Sequence, residues 1–236
     1  MKTSKTWGII LASLLTTILP CTGQDNITTT VSADVVSQYI WRGQQLGEAG
    51  LQPTLALEYK GLSLSAWGNL GIVNSNDTKE FDLTAAYSLG GLNIGLTDYW
   101  FNDPNEKYFQ YKAHSTSHVF EANVGYDFGP VSLQWYTNLG GNDGCNKKGK
   151  RAYSSYAELD APFRLGGCEW TATVGCVPYA TDFYATAHGF AVTHVGVSAS
   201  KELKITDSFT LPVFAGITAN PSTQKAYFVF GLTLHP

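Results

Sequence analysis

Residues 80–96 read Glu-Phe-Asp-Leu-Thr-Ala-Ala-Tyr-Ser-Leu-Gly-Gly-Leu-Asn-Ile-Gly-Leu, and this stretch decides the fold class. From Phe81 to Leu89 an apolar side chain occupies every second position, and most positions between them are polar. A period of two is typical of a β-strand with one apolar face, because successive side chains of a strand point to opposite sides. Gly90-Gly91 then predicts a tight turn into a second strand.

The same alternation recurs along the rest of the chain and predicts about twelve strands. Asp98 breaks it within one strand by falling on the apolar parity, which leaves a β-bulge open at that position. The predicted strands are residues 31–42, 51–60, 62–70, 80–89, 92–101, 120–128, 131–139, 153–164, 169–176, 189–201, 209–217 and 226–234.

The connections between the predicted strands are alternately short and long, except that the turn near residues 202–208 is longer and the loop at residues 219–224 is shorter than this pattern expects. Turns of two residues, such as Gly90-Gly91 and Gly166-Gly167, alternate with longer connections near residues 44–50, 71–79, 102–117, 140–151 and 178–188. Bacterial outer-membrane barrels have short periplasmic turns and longer outer loops. We therefore predict one all-β domain over residues 24–236. It is a transmembrane antiparallel up-and-down β-barrel of about twelve strands, with both chain ends on the periplasmic side.

The composition argues against several other classes of protein. Charged residues make up 14% of the 236 residues, against roughly 25% in a typical soluble domain, and aromatic residues make up 13%. Disordered chains have few aromatic residues, and helical bundles are rich in Ala, Glu, Lys, Leu and Arg. A net charge of −4 and a sequence pI of about 5.7 do not fit the strongly basic face of a nucleic-acid-binding domain.

The N-terminus predicts the compartment. Two lysines precede an uncharged apolar stretch from Trp7 to Leu19, and Cys21-Thr22-Gly23 supplies small residues before a cleavage site at Gln24. Residues 1–23 therefore have the features of a secretory signal peptide. A transmembrane anchor is the alternative, but the stretch is shorter than the ~20 apolar residues needed to span a bilayer. We expect export to the bacterial outer membrane, with outer-membrane lipid and the barrel-assembly machinery as partners.

A soluble β-sandwich or lipocalin-like barrel would show the same alternation. Three features favour the membrane: the number of strands, the concentration of charges on one parity, and aromatic residues near strand ends, as in interfacial girdles. The aromatic residues near strand ends are Tyr39, Trp41, Tyr59, Tyr87, Trp135 and Tyr153.

The polar parity of the strands predicts the lumen. Twelve strands lie between the filled interior of an eight-stranded barrel and the open channel of a sixteen-stranded one, so we expect a narrow pore. Acidic groups dominate it, which predicts a porin-like channel for small hydrophilic solutes with a mild cation preference. In the alternative, the charges pair internally and plug the lumen, and Arg42 fits either role. The expected lumen-lining residues are Arg42, Glu58, Trp67, Asp82, Glu121, Glu158 and Asp160.

Two outer loops offer surfaces for partners. The aromatic loop at residues 102–117 fits contact with a sugar or a protein, as in a non-conducting structural or adhesin-type barrel, or an inward fold as a constriction. The basic run at residues 147–151 fits either lipopolysaccharide phosphates or a simply solvated loop. The expected contact residues are Trp100, Tyr108, Phe109, Lys147, Lys148, Lys150 and Arg151.

No motif predicts catalysis, a metal site or a cofactor. An outer-membrane lipid hydrolase needs a nucleophile beside a base, but Ser154 and Ser155 have no evident histidine partner and the chain has no Gly-x-Ser-x-Gly elbow. His114 and His118 are weak candidates for a two-histidine metal site. The three cysteines after the signal peptide form no Cys-x-x-Cys pair, and a disulfide between Cys145 and Cys176 stays open. We expect no enzyme activity.

The start of the first predicted strand carries a family resemblance. Residues 32–43, Ser-Ala-Asp-Val-Val-Ser-Gln-Tyr-Ile-Trp-Arg-Gly, resemble the opening strand of the TorF-type porin family (Gcw_chp-like), in which an aromatic residue precedes Arg-Gly. The resemblance implies an outer-membrane β-barrel and leaves the solute undefined. The C-terminus departs from the pattern of outer-membrane proteins, because Leu234-His235-Pro236 lacks a terminal Phe. Further similar segments are residues 53–68, 118–128, 153–156 and 220–231.

The cleavage site can be tested directly. Cleavage by signal peptidase between Gly23 and Gln24 predicts a mature chain that begins at residue 24. N-terminal sequencing of the protein from isolated membranes measures this. A mature chain that starts at Cys21 would contradict the prediction and indicate a lipoprotein.

Overall fold

A computed structural model of the chain describes residues 19–20, 27–74, 76–101, 107–112, 115–184 and 189–236. The predicted signal peptide lies outside the described residues except for Leu19–Pro20, which pairs with residues 28–29. None of the described residues forms a helix with the length and hydropathy needed to cross a membrane.

Twelve antiparallel strands of the described residues form one closed sheet. Each strand pairs with the strands before and after it in the chain, so the topology is up-and-down. The strands, β1 to β12 in chain order, are Thr28–Val36, Gly50–Tyr59, Leu62–Gly71, Glu80–Leu89, Leu92–Phe101, His118–Asp127, Ser132–Gly141, Ser155–Leu165, Cys168–Val177, Ala191–Lys204, Thr210–Asn220 and Lys225–Leu234. The predicted fold class and strand number are confirmed.

The seam between β1 and β12 closes the barrel. Residues 33–36 of β1 pair with residues 231–234 of β12, while β1 pairs with β2 from Thr28 to Val36. On the inside of the seam, Thr233 donates its hydroxyl to Asp34 Oδ1 at 2.6 Å. This bond ties the last strand to the first.

Side chains along the strands divide between two surfaces. On the outside, Leu64 and Phe228 are 52% and 58% exposed, and most of the large apolar side chains of the strands lie on this surface. On the inside, Asn69 and Glu121 are 1% and 3% exposed. The exposed surface is therefore largely apolar, and the enclosed one is polar.

The first strand is shorter than the sequence predicts. It ends at Val36 rather than at residue 42, and the backbone N–H of Ser37 donates to the carbonyl of Phe230 at the point where the chain leaves the sheet. The chain then forms a separate hairpin from Tyr39–Trp41 and Gln44–Gly47. We call these residues, 39–47, the inward hairpin, because they contact the inner wall of the barrel. Tyr39 and Trp41 therefore do not belong to an exterior girdle, and that prediction is wrong.

Strand β5 has no bulge at Asp98. Its register with β4 and β6 runs without a shift, so Asp98 keeps the outward direction that its parity dictates. Within the barrel sheet, the register shifts lie between Asn138 and Gly140 in β7 and between Gly175 and Cys176 in β9.

The connections alternate in length as predicted, and the last is short, as the sequence also indicates. Short connections at one end of the barrel are residues 60–61, 90–91, 128–131, 166–167 and 205–209. Those at the other end are residues 37–49, 72–79, 102–117, 142–154 and 178–190, with the short turn 221–224 as the exception. Cys145, Cys168 and Cys176 are all free, so no disulfide joins Cys145 to Cys176 in this structure.

Candidate functional site

The inward hairpin crosses the lumen and brings Arg42 to its tip. Arg42 and Gly43 form the two-residue turn, and both have positive φ angles, 50° and 79°, as a type I′ turn requires. A Cβ on Gly43 would lie 1.8 Å from the backbone oxygen of Thr193, so only glycine fits between the turn and β10. Asn220 at the end of β11 donates to the carbonyl of Gly43 at 3.0 Å. The tip is therefore docked against the wall of the barrel.

Arg42 forms a buried bidentate ion pair with Glu121 of β6. Its Nη1 and Nη2 donate to the two carboxylate oxygens at 2.6 and 2.8 Å, and the two side chains are only 6% and 2% exposed. Nη1 also donates to the hydroxyl of Tyr184, and Tyr99 donates its own hydroxyl to Glu121 Oε1 at 2.8 Å. Bidentate hydrogen bonds between a guanidinium and a carboxylate are charge-assisted, and they are among the strongest that an arginine forms.

Four aromatic rings surround the same guanidinium. Its Cζ lies 4.0 Å from the ring centroid of Tyr136, 4.4 Å from Trp41, 4.8 Å from Tyr156 and 5.9 Å from Tyr184. Each distance is within the range in which a ring face attracts a cation. The charge of Arg42 is thus met by one carboxylate in the plane of the guanidinium and by aromatic rings around it.

The electrostatics keep this arrangement charged. Burial by itself lowers the pKa of the Arg42 guanidinium, but the Glu121 carboxylate outweighs burial and the pKa lies well above its ordinary value. Burial raises the pKa of the Tyr184 hydroxyl, and the charge of Arg42 opposes that rise only in part. Arg42 is therefore a cation and Tyr184 a neutral phenol throughout the physiological range.

A glycine in β9 makes room for the ring of Tyr156. A Cβ on Gly175 would lie 1.9 Å from the Tyr156 hydroxyl, so this side chain lies directly over the glycine. The register that pairs Gly175 with Glu158 of β8 and His194 of β10 gathers polar groups beside it. Tyr156 donates to Glu158 Oε2 at 2.5 Å, and His194 Nδ1 lies 3.3 Å from the same oxygen.

A second anchor of the hairpin lies on the other side of the lumen. Tyr39 donates to Glu80 Oε2 at 2.9 Å and its ring lies 5.6 Å from that of Trp67. Burial and then the charge of Glu80 raise the pKa of Tyr39 well above its ordinary value, so it is a permanent donor. Asp82 is 7% exposed beside Glu80, and its Oδ1 has no hydrogen-bond partner among the described residues.

The structure places the expected lumen residues as follows. Trp67, Asp82, Glu121, Glu158 and Asp160 lie on inward-facing positions of the strands. Asp160 accepts a hydrogen bond of 2.6 Å from Thr173. Glu58 has the same parity as Thr54 but is exposed near the short turn that follows β2.

Arg42 does not lie on a strand. It reaches the lumen on the inward hairpin and pairs with a carboxylate, which is the second of the two roles that the sequence left open.

Sequence reasoning missed the aromatic half of this site. Tyr99, Tyr136 and Tyr156 all fall on the polar parity of their strands, and each is less than 9% exposed. A large aromatic side chain on the polar parity could have identified them, because the lumen of a narrow barrel must be filled by side chains. Tyr184 and His194 carried no such signal.

The aromatic outer loop packs on the outside of the barrel, so the inward-folding alternative is wrong for its described residues. Trp100 meets Tyr108 edge-on at 5.2 Å, and both rings lie near His118, whose side chain points outward. Phe109 is 85% exposed. The loop therefore leaves the lumen to the hairpin.

The lysines of the basic loop lie on a turn that is held by side-chain hydrogen bonds. The side chain of Asn146 accepts from the backbone N–H groups of Lys148 and Lys150, which directs the lysines, Lys147 included, toward solvent. Arg151 is held instead, since it donates to the carbonyl of Leu139 at 2.9 Å and lies 3.4 Å from Asp143.

The described residues contain no cluster of three or more His, Cys, Asp or Glu side chains that could hold a metal ion. His118 is bonded to Asp98 and to the backbone of Tyr108. His114, its proposed partner in a metal site, lies outside the described residues.

Comparison with known proteins adds a distant structural likeness. No family model and no curated protein matches the chain. Among solved structures it is similar to OmpT lacking loop L8, an outer membrane protein of Vibrio cholerae, with 11% identity over 89% of this chain and 98% of that chain. The TM-score is 0.34. At that level the comparison carries no argument, and the assignment of the fold rests on the strands themselves.

The Arg42–Glu121 pair predicts that substitutions at the two positions have coupled effects on the free energy of unfolding. Arg42→Met leaves a buried carboxylate without its counter-charge, and we expect a loss of about 3–5 kcal/mol in the free energy of unfolding. Adding Glu121→Gln removes that orphaned charge, so the double variant should be at least about 1 kcal/mol more stable than R42M alone. Urea unfolding of the refolded barrel in lipid measures both.

The matched control is the exposed pair Arg164–Glu169, whose side chains are 83% and 59% exposed. Arg164→Met should cost less than about 1 kcal/mol. Additive losses at Arg42 and Glu121 would contradict the coupling.

Proposed function

We propose that the chain spans the bacterial outer membrane with the strands of its barrel. Two observations support this: every barrel strand is paired along both edges, and the outward side chains form a largely apolar surface. A closed barrel is the β-structure that satisfies all backbone groups in hydrocarbon. The resemblance of residues 32–43 to the TorF-type porin family agrees with this location.

We propose further that the barrel is a narrow, cation-preferring channel for small hydrophilic solutes. The observation that carries this is the charge of the lumen. Five inward carboxylates of the strands are less than 9% exposed, whereas Arg42 is the one buried arginine among the described residues and pairs with a single carboxylate, that of Glu121. The buried carboxylates are Asp34, Glu80, Asp82, Glu121 and Asp160, and the half-buried Glu158 also points inward. An acidic lining with low-dielectric walls raises the local concentration of cations.

The inward hairpin makes the passage narrow. Tyr39 is held by Glu80 of β4, and the tip at Gly43 is docked against Thr193 of β10 on the opposite wall, which places the hairpin across the lumen. Glu158 and His194 keep 14% and 18% of their side-chain surface exposed, so the wall formed by β8 and β10 is the side on which solute would pass.

A second candidate is a non-conducting structural or adhesin-type barrel. The interlocked cage around Arg42 favours it, because the same contacts that narrow the lumen would seal it. Its partners would meet the outer loops: a sugar or protein at Phe109, and lipopolysaccharide phosphates at Lys147, Lys148 and Lys150. In both proposals the barrel-assembly machinery inserts the chain.

Planar-bilayer recording of the refolded protein tests the channel. We expect small stepwise currents and a reversal potential that favours cations. Because Glu158 and Asp160 lie on the wall assigned to the solute and do not pair with Arg42, E158Q/D160N should lower the cation-to-anion permeability ratio by a factor of about two or more. The control E169Q changes a carboxylate already paired with Arg164 and should leave the ratio unchanged.

A reversal potential that favours anions would reject the proposed selectivity. Bilayers without steps would favour the structural or adhesin-type barrel, and absence of steps together with lipid hydrolysis would favour an enzyme.

A further inference from the structure

An ion pair lies on the apolar exterior of the barrel, where it cannot contribute to a channel through the lumen. Asp98 of β5 points outward, and its Oδ1 lies 2.7 Å from Nδ1 of His118 on β6. The His118 side chain is fully buried, whereas the Asp98 side chain keeps 19% of its surface exposed. The acid, not the base, is therefore the accessible member of the pair.

The aromatic loop covers the histidine. The second ring nitrogen of His118 meets the backbone oxygen of Tyr108 at 2.5 Å, and the ring of Tyr111 lies 4.6 Å away. Both ring nitrogens thus face oxygen acceptors, a pattern that an imidazolium satisfies with its two N–H groups. The pair pins the described part of the loop, residues 107–112 and 115–117, to the outside of the barrel.

Directly beside Asp98 the exterior has a groove of about 540 Å³. Ala85 of β4 forms its floor, because it lies between Leu64 of β3 and Leu96 of β5 in the paired register. The neighbouring row of the register contains Leu83, Asp98 and Phe120, which line the groove as well. The result is an apolar trough with the Asp98 carboxylate in its lining, since Glu121, which also borders it, turns its carboxylate toward Arg42 in the lumen.

We propose that this groove binds an acyl chain of a glycolipid in the surrounding leaflet, with a lipid hydroxyl or amide N–H donated to Asp98. The inference rests on the proposed position in the membrane but not on conduction.

Three observations favour this occupant. The volume of the groove lies within the range of ordinary ligand sites. Its walls are leucines and a phenylalanine on the surface that faces lipid. A carboxylate in such a place gains nothing from a plain acyl chain, whereas a chain with a hydroxyl or amide donor offers a charge-assisted hydrogen bond.

Native mass spectrometry of the intact barrel released from detergent tests the proposal with two probes. Lipid A carries hydroxylated and amide-linked acyl chains, and phosphatidylcholine has no hydrogen-bond donor. We expect one lipid A to be retained per barrel in preference to phosphatidylcholine. Asp98→Asn keeps the shape but removes the charge, and should lower the retained ratio of lipid A to phosphatidylcholine by roughly tenfold.

A second variant leaves the ion pair intact. Ala85→Phe fills the floor of the groove and should abolish retention of lipid A, whereas the matched control Ala161→Phe, on the exterior of β8, should not. The proposal would be overturned if the two variants retained lipid A equally, or if the barrel retained the two lipids equally. It would also be overturned by an adduct with the mass of a second barrel. A barrel that fails to insert into bilayers defeats the proposed location itself, while one that inserts without conducting leaves this inference standing.

Discussion

The structure depends on the pairing of every barrel strand along both of its edges. A short seam provides the closure, in which residues 33–36 of β1 meet residues 231–234 of β12 and Thr233 bonds to Asp34. Once the sheet is closed it has an inside and an outside, and the period of two sends alternate side chains to each. The proposed membrane position accounts for the low overall charge, because half of the strand positions would then face lipid, where a charge is costly.

Closure also creates an interior that must be filled. The inward hairpin supplies part of the filling and the tyrosines of β5, β7 and β8 supply more. Buried carboxylates in such a space need partners. Arg42 meets that need for Glu121, and Tyr39 for Glu80. The same contacts position the hairpin, so the charge balance and the shape of the lumen have one cause.

Most of the fold could be predicted from the sequence because alternation is a local signal. Strands β2 to β12 lie close to their predicted ranges, and the carboxylates on the polar parity point inward. Residues 37–42 could not be separated from β1, since Tyr39 and Trp41 continue its alternation although the chain has already left the sheet. Only the docking of Gly43 against Thr193 reveals the reversal, and that contact joins residues 150 positions apart in the chain.

The exterior ion pair escaped prediction for a related reason. Asp98 looked like an interruption of β5, because its partner His118 lies on the next strand beyond a long loop. The pattern within one strand says which way a side chain points, but it does not say what will meet it there. Cross-strand register supplies that information.

Lipid quenching of single tryptophans tests the central claim, that one parity faces the membrane and the other faces a filled lumen. Trp135 lies outward on β7 and is 42% exposed, whereas Trp67 points inward against Tyr39. In bilayers of lipids with brominated acyl chains, the variant that retains only Trp135 should be strongly quenched. The variant that retains only Trp67 should be nearly unaffected. Equal quenching of the two, or stronger quenching of Trp67, would contradict the account.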